Sequence, residues 1–234
     1  MKREVITTSD GSTSIHLPDW NEQYHSKHGA IQEAYHVFIK AGFEKFYNDF
    51  LVEVDKNKFD EISILEIGFG TGLNAFITFL EAQKKNLKVD YIGVEAYPVL
   101  DDEILKLNYV SELKALKNKS EFEQMHQISW DVKHQISELF KLTKRKQFFE
   151  NIDDENRFDI IYFDAFGATN QPELWTESIF KKMYHALKIE GVLTTYSAKG
   201  SVRRALQSVG FTVERLEGPP GKREMLRAIK KKLD

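Results

Sequence analysis

Residues 65–75 read Leu-Glu-Ile-Gly-Phe-Gly-Thr-Gly-Leu-Asn-Ala, with glycines at 68, 70 and 72 and a carboxylate, Glu66, two positions before the first. An apolar run with a strand's composition, Ile62–Ile67, precedes the segment, and helical apolar spacing, Ala75–Ala82, follows it. Glycines between a strand and a helix permit positive φ and let a ligand approach the main chain. The helix start adds free N–H groups beside that ligand. The chemistry suggested is the binding of an adenosine-containing cofactor. Spacing then discriminates between cofactors. The dinucleotide fingerprint G-x-G-x-x-G needs a glycine at position 73, which is Leu73. A carboxylate at the turn would repel a pyrophosphate and attract the ammonium and sulfonium of S-adenosylmethionine.

Further carboxylates fall at the ends of other apolar runs. Glu95 lies 23 residues after Gly72, where it can accept from both ribose hydroxyls. Asp131, in Ser129-Trp-Asp-Val132, is a candidate acceptor for the adenine amino group, and Trp130 fits either the adenine site or the core. Asp164 ends Tyr162-Phe163-Asp164, where a carboxylate pays for desolvation unless it is paired. Near a transferring methyl group it could orient a nucleophilic amine and assist the loss of its proton. A loop, Gly167 to Pro172, follows, and then Glu173-Leu-Trp-Thr176. Phe166 and Trp175 could each support an acceptor base or simply fill the core. The polar block Tyr24–Glu33 is expected to form a lid, with Glu33 holding the ammonium of a methionine moiety. His25, His28 and His36 lack accompanying acidic ligands at metal-binding spacing, so no metal is expected.

These residues need a scaffold. Asp10-Gly11 signals a turn in an irregular or hairpin-forming lead. Helical spacing runs from Ala30 to Phe50 with Gly42 a weak point, and Asp55–Asp60 reads as a polar connector. Strands are predicted at Ile62–Ile67, Val89–Glu95, Gln124–Ser129, Phe158–Phe163, Val192–Tyr196, Phe211–Leu216 and Met225–Ile229. Helices are predicted at Asn74–Ala82, Asp101–Leu107, His134–Phe140, Ile179–Leu187 and Val202–Val209. Leu142–Asn156 is mixed and charged, and is expected to be an exposed excursion. The alternation predicts an α/β fold, a mostly parallel seven-stranded sheet with helices on both faces. The last two strands have no helix between them, so one should run antiparallel. Residues 1–55 would form an N-terminal extension and lid, and residues 56–234 the cofactor-binding domain.

A chain of 234 residues that is 41% hydrophobic can bury a core. No apolar stretch approaches the roughly 20 residues of a membrane helix, and the polar N-terminus lacks an apolar signal region. A cytoplasmic location is expected. The chain has no cysteine, which excludes disulfides and a cysteine nucleophile. That agrees with attack by nitrogen rather than by an activated ring carbon. Net charge is −3, but residues 199–234 hold ten Lys/Arg and four acids, so this end carries +6 and the rest −9. A basic end on an acidic body suggests a polyanionic partner or a solvated face.

With these residues in place, the chain resembles the methyltransferases that act on aminomethyl-uridine at the tRNA wobble position. These are the methyltransferase half of the bifunctional MnmC enzymes and their stand-alone relatives, MnmD. The resemblance is carried by Gly29-x-x-Gln32-Glu33, Glu66-Ile-Gly-Phe-Gly-Thr-Gly-Leu-Asn74, Phe163-Asp-Ala-Phe166, Pro172-Glu-Leu-Trp-Thr176, Thr195-Tyr-Ser-Ala-Lys-Gly200, Val202-Arg-Arg204 and Gly221-Lys-Arg-Glu-Met-Leu226. It implies a class I Rossmann-like fold and methyl transfer from S-adenosylmethionine to the amine of 5-aminomethyl-(2-thio)uridine. Asp164 would stand beside the amine. Glu33, Gly68, Gly72, Glu95 and Asp131 would hold the cofactor, and Tyr24, Glu66, Gly70 and Asn74 are further candidates for its site. Phe166 and Trp175 would meet the base, and Lys199, Arg203, Arg204, Lys222 and Arg223 the tRNA phosphates. No flavin is expected, because the chain ends at Asp234 without room for an oxidase domain. Gly167-Ala168 stands where the family would have Ala-Pro, which should loosen the loop after Asp164. A small-molecule amine methyltransferase, a polyamine synthase and a non-catalytic binding module remain alternatives on the residues alone. A dehydrogenase is disfavoured by the glycine spacing.

Overall fold

The computed structural model describes residues 2–53 and 61–232. The expected connector over 55–60 and the division at 55/56 lie outside the described residues.

The chain opens with a small antiparallel sheet of β1 (Glu4–Thr7), β2 (Thr13–Leu17) and β3 (Glu22–Gln23). The turn between β1 and β2 contains Asp10-Gly11, as predicted. The Asp10 carboxylate accepts from Ser12 N and also from Gln32 N at 3.0 Å, which fixes this hairpin to the helix that follows. That helix is continuous. It begins as α1 (Ala30–Ala34), widens into a π-helix over Tyr35–Glu44 and returns to α geometry in α2 (Lys45–Glu53). Gly42 is no weak point. A Cβ there would lie 3.2 Å from Thr194 Oγ1 and 3.3 Å from the Tyr162 ring, so its absence lets the helix press on the sheet.

The main sheet contains β4 (Ile62–Ile67), β5 (Val89–Val94), β6 (Lys133–Ser137), β7 (Phe140–Arg145), β8 (Phe158–Phe163), β9 (Leu187–Thr195), β10 (Thr212–Glu217) and β11 (Glu224–Ile229). Their order is β10-β11-β9-β8-β4-β5-β7-β6. The run from β9 to β7 is parallel, and β11 pairs antiparallel with both β9 and β10. The helices are α3 (Leu73–Lys85), α4 (Asp101–Ile104), α5 (Tyr109–Glu112), α6 (Lys119–Gln127), α7 (Glu177–Ala186) and α8 (Gly200–Ser208). One apolar layer joins the long helix and α3 to the sheet. The other packs α7 and α8 on the opposite face. The buried side chains of α7, Ile179, Phe180, Met183 and Ala186, form a helical stripe. Burial stabilises each of the three large ones by about 1.5–3 kcal/mol.

Among the described residues the sheet has eight strands rather than seven, and the middle of the chain differs from expectation. Gln124–Ser129 is not a strand: Phe122 and Met125, at helical spacing, are the buried face of α6. His134–Phe140 is not a helix but lies in the antiparallel hairpin of β6 and β7. The supposed excursion begins with β7, a full member of the sheet. Lysines and arginine among Phe140–Arg145 concealed its alternation, and one of them, Lys144, is itself buried.

Candidate active site

A cavity of about 1770 Å³ opens at the carboxyl ends of β4, β5 and β8. It exceeds the roughly 300–1,000 Å³ of a single small-molecule pocket and has room for a cofactor and part of a second substrate. Its walls include Gly68, Gly70 and Asn74 from the β4–α3 turn, Glu95 after β5 and Asp164 after β8, with Tyr24 and Glu33 from the N-terminal part. Elements distant in sequence thus converge where parallel strands end, the usual ligand position in such sheets.

The glycine turn is shaped as much by the protein as by any ligand. Gly68 has φ +90°, and a Cβ there would come within 2.7 Å of the Asp164 carbonyl oxygen. At Gly70, φ +48°, it would touch the Tyr24 ring at 3.0 Å. Glycine therefore lets the turn pass directly against Asp164 and the N-terminal segment. Gly72 caps α3 at φ +70° and does not line the cavity.

Glu95 accepts from Gly70 N at 3.1 Å and from Tyr97 N at 2.9 Å, which fixes its carboxylate at the cavity wall. Beside it stand Tyr97 and Phe148, exposed aromatics whose ring centroids are 6.0 Å apart. Both line the cavity and offer apolar walls for a purine. Sequence reasoning passed over them, although Tyr97 lies two residues from Glu95. Asp131 does not line the cavity. It is exposed in the turn before β6, and its carboxylate accepts from Lys146 N at 3.1 Å; Lys146 itself is a wall residue. The misplaced third strand explains the error, since the strand that reaches the cavity ends at Arg145 rather than before Asp131.

Glu66 also differs from its expected place. Its side chain is enclosed at 1% exposure and is absent from the cavity wall. Asn74 Nδ2 donates to Glu66 Oε1 and to Asp164 Oδ2, each at 2.9 Å. Burial pushes the Glu66 carboxyl well above the usual range, with Asp164 adding repulsion. A carboxyl whose charged form is disfavoured, and which does not reach the cavity, is poorly placed to attract a sulfonium.

Asp164 borders the cavity. Burial raises its pKa to about 7, the Glu33 carboxylate adds to that rise, and Asn74 and Lys222 oppose it. Glu33 is buried and doubly held, by Lys222 Nζ at Oε1 and by Ser26 N at Oε2, both at 2.7 Å. Lys222 also lies 3.8 Å from the Tyr196 ring centroid. It is therefore a cavity residue, whereas its basic neighbourhood in the sequence had suggested a phosphate contact.

Phe166 lines the cavity, edge-on to Trp20 at 5.8 Å and to Tyr24 at 5.0 Å. Trp20 was not singled out by the sequence and shares the wall. Trp175 is instead core: it is 6% exposed, packs on Phe163, and its Nε1 donates to Phe166 O at 2.7 Å. The loop after Asp164 is tied rather than loose. Asn170 N and Gln171 N donate to Gly167 O, and Asn170 Nδ2 donates to Glu22 Oε2 at 2.7 Å. Lys199 reaches Thr169 Oγ1 in the same loop.

Lys199, Arg204 and Arg223 are exposed, and Arg203 is half-buried. Of the other cations of the basic end, Arg227 pairs with Glu214, Arg215 with Glu224 and Lys231 with Glu190, and buried Lys230 donates to Leu187 O. His25 is buried between Ser14 Oγ, 3.0 Å from Nδ1, and Thr71 Oγ1, 3.5 Å from Nε2. Burial lowers its pKa to about 4, so it joins the hairpin to the glycine turn as a neutral ring.

Comparison with known proteins fits this geometry. Residues 111–231 match a family model described as S-adenosyl-L-methionine-dependent methyltransferase. The chain is 30% identical over 217 residues to the tRNA 5-methylaminomethyl-2-thiouridine biosynthesis bifunctional protein MnmC of Leptospira borgpetersenii, covering 88% of this chain and 32% of that protein. The protein of the same description from Leptospira interrogans is 30% identical over 230 residues, covering 95% and 34%. The chain thus spans about a third of the length of these curated relatives. Among solved structures, MNMC2 from Aquifex aeolicus superposes with a TM-score of 0.72 at 24% identity, covering 97% of this chain and 70% of that one. Spermidine synthase from Thermotoga maritima gives 0.52 at 17% identity, covering 100% and 75%. Both share the fold. The turn, the strand-end carboxylates and the family match agree, and the chain belongs to the S-adenosyl-L-methionine-dependent methyltransferases.

Proposed function

We propose that the protein methylates the primary amine of 5-aminomethyl-(2-thio)uridine at the tRNA wobble position, giving 5-methylaminomethyl-(2-thio)uridine. The observation that carries this reading is Asp164: a carboxylate with a pKa near neutrality, at the wall of a cavity large enough for cofactor and nucleoside. The curated relatives named for this tRNA modification support the choice of acceptor.

The residues present fit S-adenosylmethionine. Glu95 would take the ribose, Tyr97 and Phe148 would flank the adenine, and Glu33, shared with Lys222, would meet the methionine ammonium, a reading supported by their fixed positions on the cavity wall. When bound, that cofactor supplies a methyl group made electrophilic by its sulfonium. Phe166, Trp20 and Tyr24 form the aromatic wall for the uracil. Asp164 accepts a hydrogen bond from the acceptor ammonium and takes its proton, which frees the nitrogen lone pair for attack. A pKa of about 7 leaves the carboxylate ionised enough to accept and basic enough to hold the proton. Alignment does most of the remaining work. The reaction needs neither flavin nor metal, and its site of action would be the cytoplasm. Lys199, Arg203, Arg204 and Arg223 are the proposed phosphate contacts.

Nucleoside mass spectrometry of tRNA from cells lacking this chain tests the proposal. Accumulated aminomethyl-uridine with loss of its methylated form is expected. An unchanged nucleoside profile would refute it.

A further inference from the structure

We propose that Glu66 serves the reaction as an uncharged positioning residue, holding Asp164 through the Asn74 amide, rather than as the cofactor's counter-charge. This rests on the reading of Asp164 as the carboxylate beside the acceptor amine.

Geometry carries the argument. The Asn74 amide offers two N–H donors, and they go to Glu66 Oε1 and Asp164 Oδ2, each at 2.9 Å. Asn74 can reach both because it is the second residue of α3, close to the ends of the paired strands β4 and β8. Glu66 has almost no exposed surface and no contact with the cavity, and among the described residues no cation pairs with it. A second full charge beside Asp164 would be uncompensated, and such groups neutralise instead. The upward shift of the Glu66 pKa agrees. Its other oxygen, Oε2, and the Tyr91 hydroxyl are both buried and make no hydrogen bond to any third group; a hydroxyl donating to Oε2 favours the charged carboxylate, an effect that burial outweighs. They lie on the same face of neighbouring parallel strands, where a protonated Oε2 could donate toward Tyr91. The trio then bears one negative charge, concentrated on Asp164.

Asp164 is faced by Glu33 from α1, Lys222 from the β10–β11 loop, Tyr196 after β9, Asn74 from α3, Glu66 on β4 and Tyr91 on β5. Lys222 is the cation among these. The test must therefore separate a change of charge at Glu66 from a change of anchoring.

The experiment compares the full chain with Glu66→Leu, Glu66→Gln and Asp164→Asn. It measures S-adenosylmethionine binding by calorimetry, kcat against pH, and thermal melting. Glu66→Leu should lower kcat about tenfold, the scale of one lost hydrogen bond, while the cofactor Kd changes less than about threefold. Glu66→Gln, neutral but able to accept from Asn74, should restore kcat and leave the acid limb of the pH profile in place. In Glu66→Gln, a cofactor Kd weakened about tenfold or more, or an acid limb moved downward, would mean a charged Glu66 and would overturn the proposal. Undiminished kcat in Asp164→Asn would overturn both this inference and the reading of the site. If Glu66→Leu does not fold, isotope-edited infrared spectroscopy of the folded proteins decides. At about pH 8, above the Asp164 titration, a protonated-acid carbonyl band should vanish in Glu66→Gln and persist in Asp164→Asn. Its absence from the parent protein would overturn the proposal.

Discussion

Lys222 Nζ donates to Glu33 Oε1 at 2.7 Å across the wall of the cavity. The pair ties the loop between the last two strands to the start of the first helix, and it sets a positive charge near Asp164. Replacing Lys222 by Met removes that charge and leaves Glu33 unopposed. Both changes disfavour the Asp164 carboxylate, so its pKa rises. The acid limb of kcat, expected near pH 7 in the parent, should move upward in Lys222→Met. Activity at alkaline pH should recover, and Lys222→Arg should keep the parental limb. A limb that does not move would mean that Lys222 has no influence on Asp164.

Asp164→Asn should lower kcat about 10²–10⁴-fold, the usual range for a lost general base. It should also alter stability in a pH-dependent way. The folded pKa of Asp164 is about 7, raised from its ordinary value of 3.8. The folded state therefore binds more protons than the unfolded state between these values, and parental stability falls as pH rises through that window. The Tm difference between Asp164→Asn and the parent should be more positive at about pH 8 than at about pH 4. Buried His25 titrates in both proteins and cancels from the difference.

Trp20→Ala and Phe166→Ala should each raise KM for the tRNA substrate by about tenfold, within the range for base stacking, with cofactor Kd unchanged. Trp175→Ala should behave differently. Its ring is buried against Phe163 and Phe180, so stability should fall by roughly 3–5 kcal/mol. Chemical denaturation beside steady-state kinetics separates the two outcomes.

The charge reversals Arg204→Glu and Arg223→Glu should weaken RNA binding regardless of sequence and flatten its dependence on salt, by about one unit of slope for each phosphate interaction removed. Lys230→Ala should leave that slope alone. Lys230 is buried, and its Nζ donates to Leu187 O and Asn156 Oδ1. Titrations of the labelled RNA at several salt concentrations check this.

The turn at 68–72 and the ends of β5 and β8 were legible because glycine chemistry and fully buried parallel strands leave strong local marks. Glu95 and Asp164 followed from them. Asp131 was misplaced because charge hid the alternation of β7, and a buried lysine such as Lys144 runs against any hydrophobic pattern. The inward turn of Lys222 and the enclosure of Glu66 depend on partners far away in the chain, Glu33 and Asn74 in particular. Half-buried Trp20 and exposed Phe148 were missed for the same reason: such an aromatic becomes a cavity wall only once distant loops meet.

The most direct measurement is transfer in vitro. The purified chain is incubated with methyl-labelled S-adenosylmethionine and tRNA bearing 5-aminomethyl-uridine, and the product nucleosides are resolved by mass spectrometry. One labelled methyl is expected on the side-chain nitrogen of the wobble uridine, formed at least about a hundredfold more slowly after Asp164→Asn. Label on another nucleoside, or only on small metabolites in a competing extract, would contradict it.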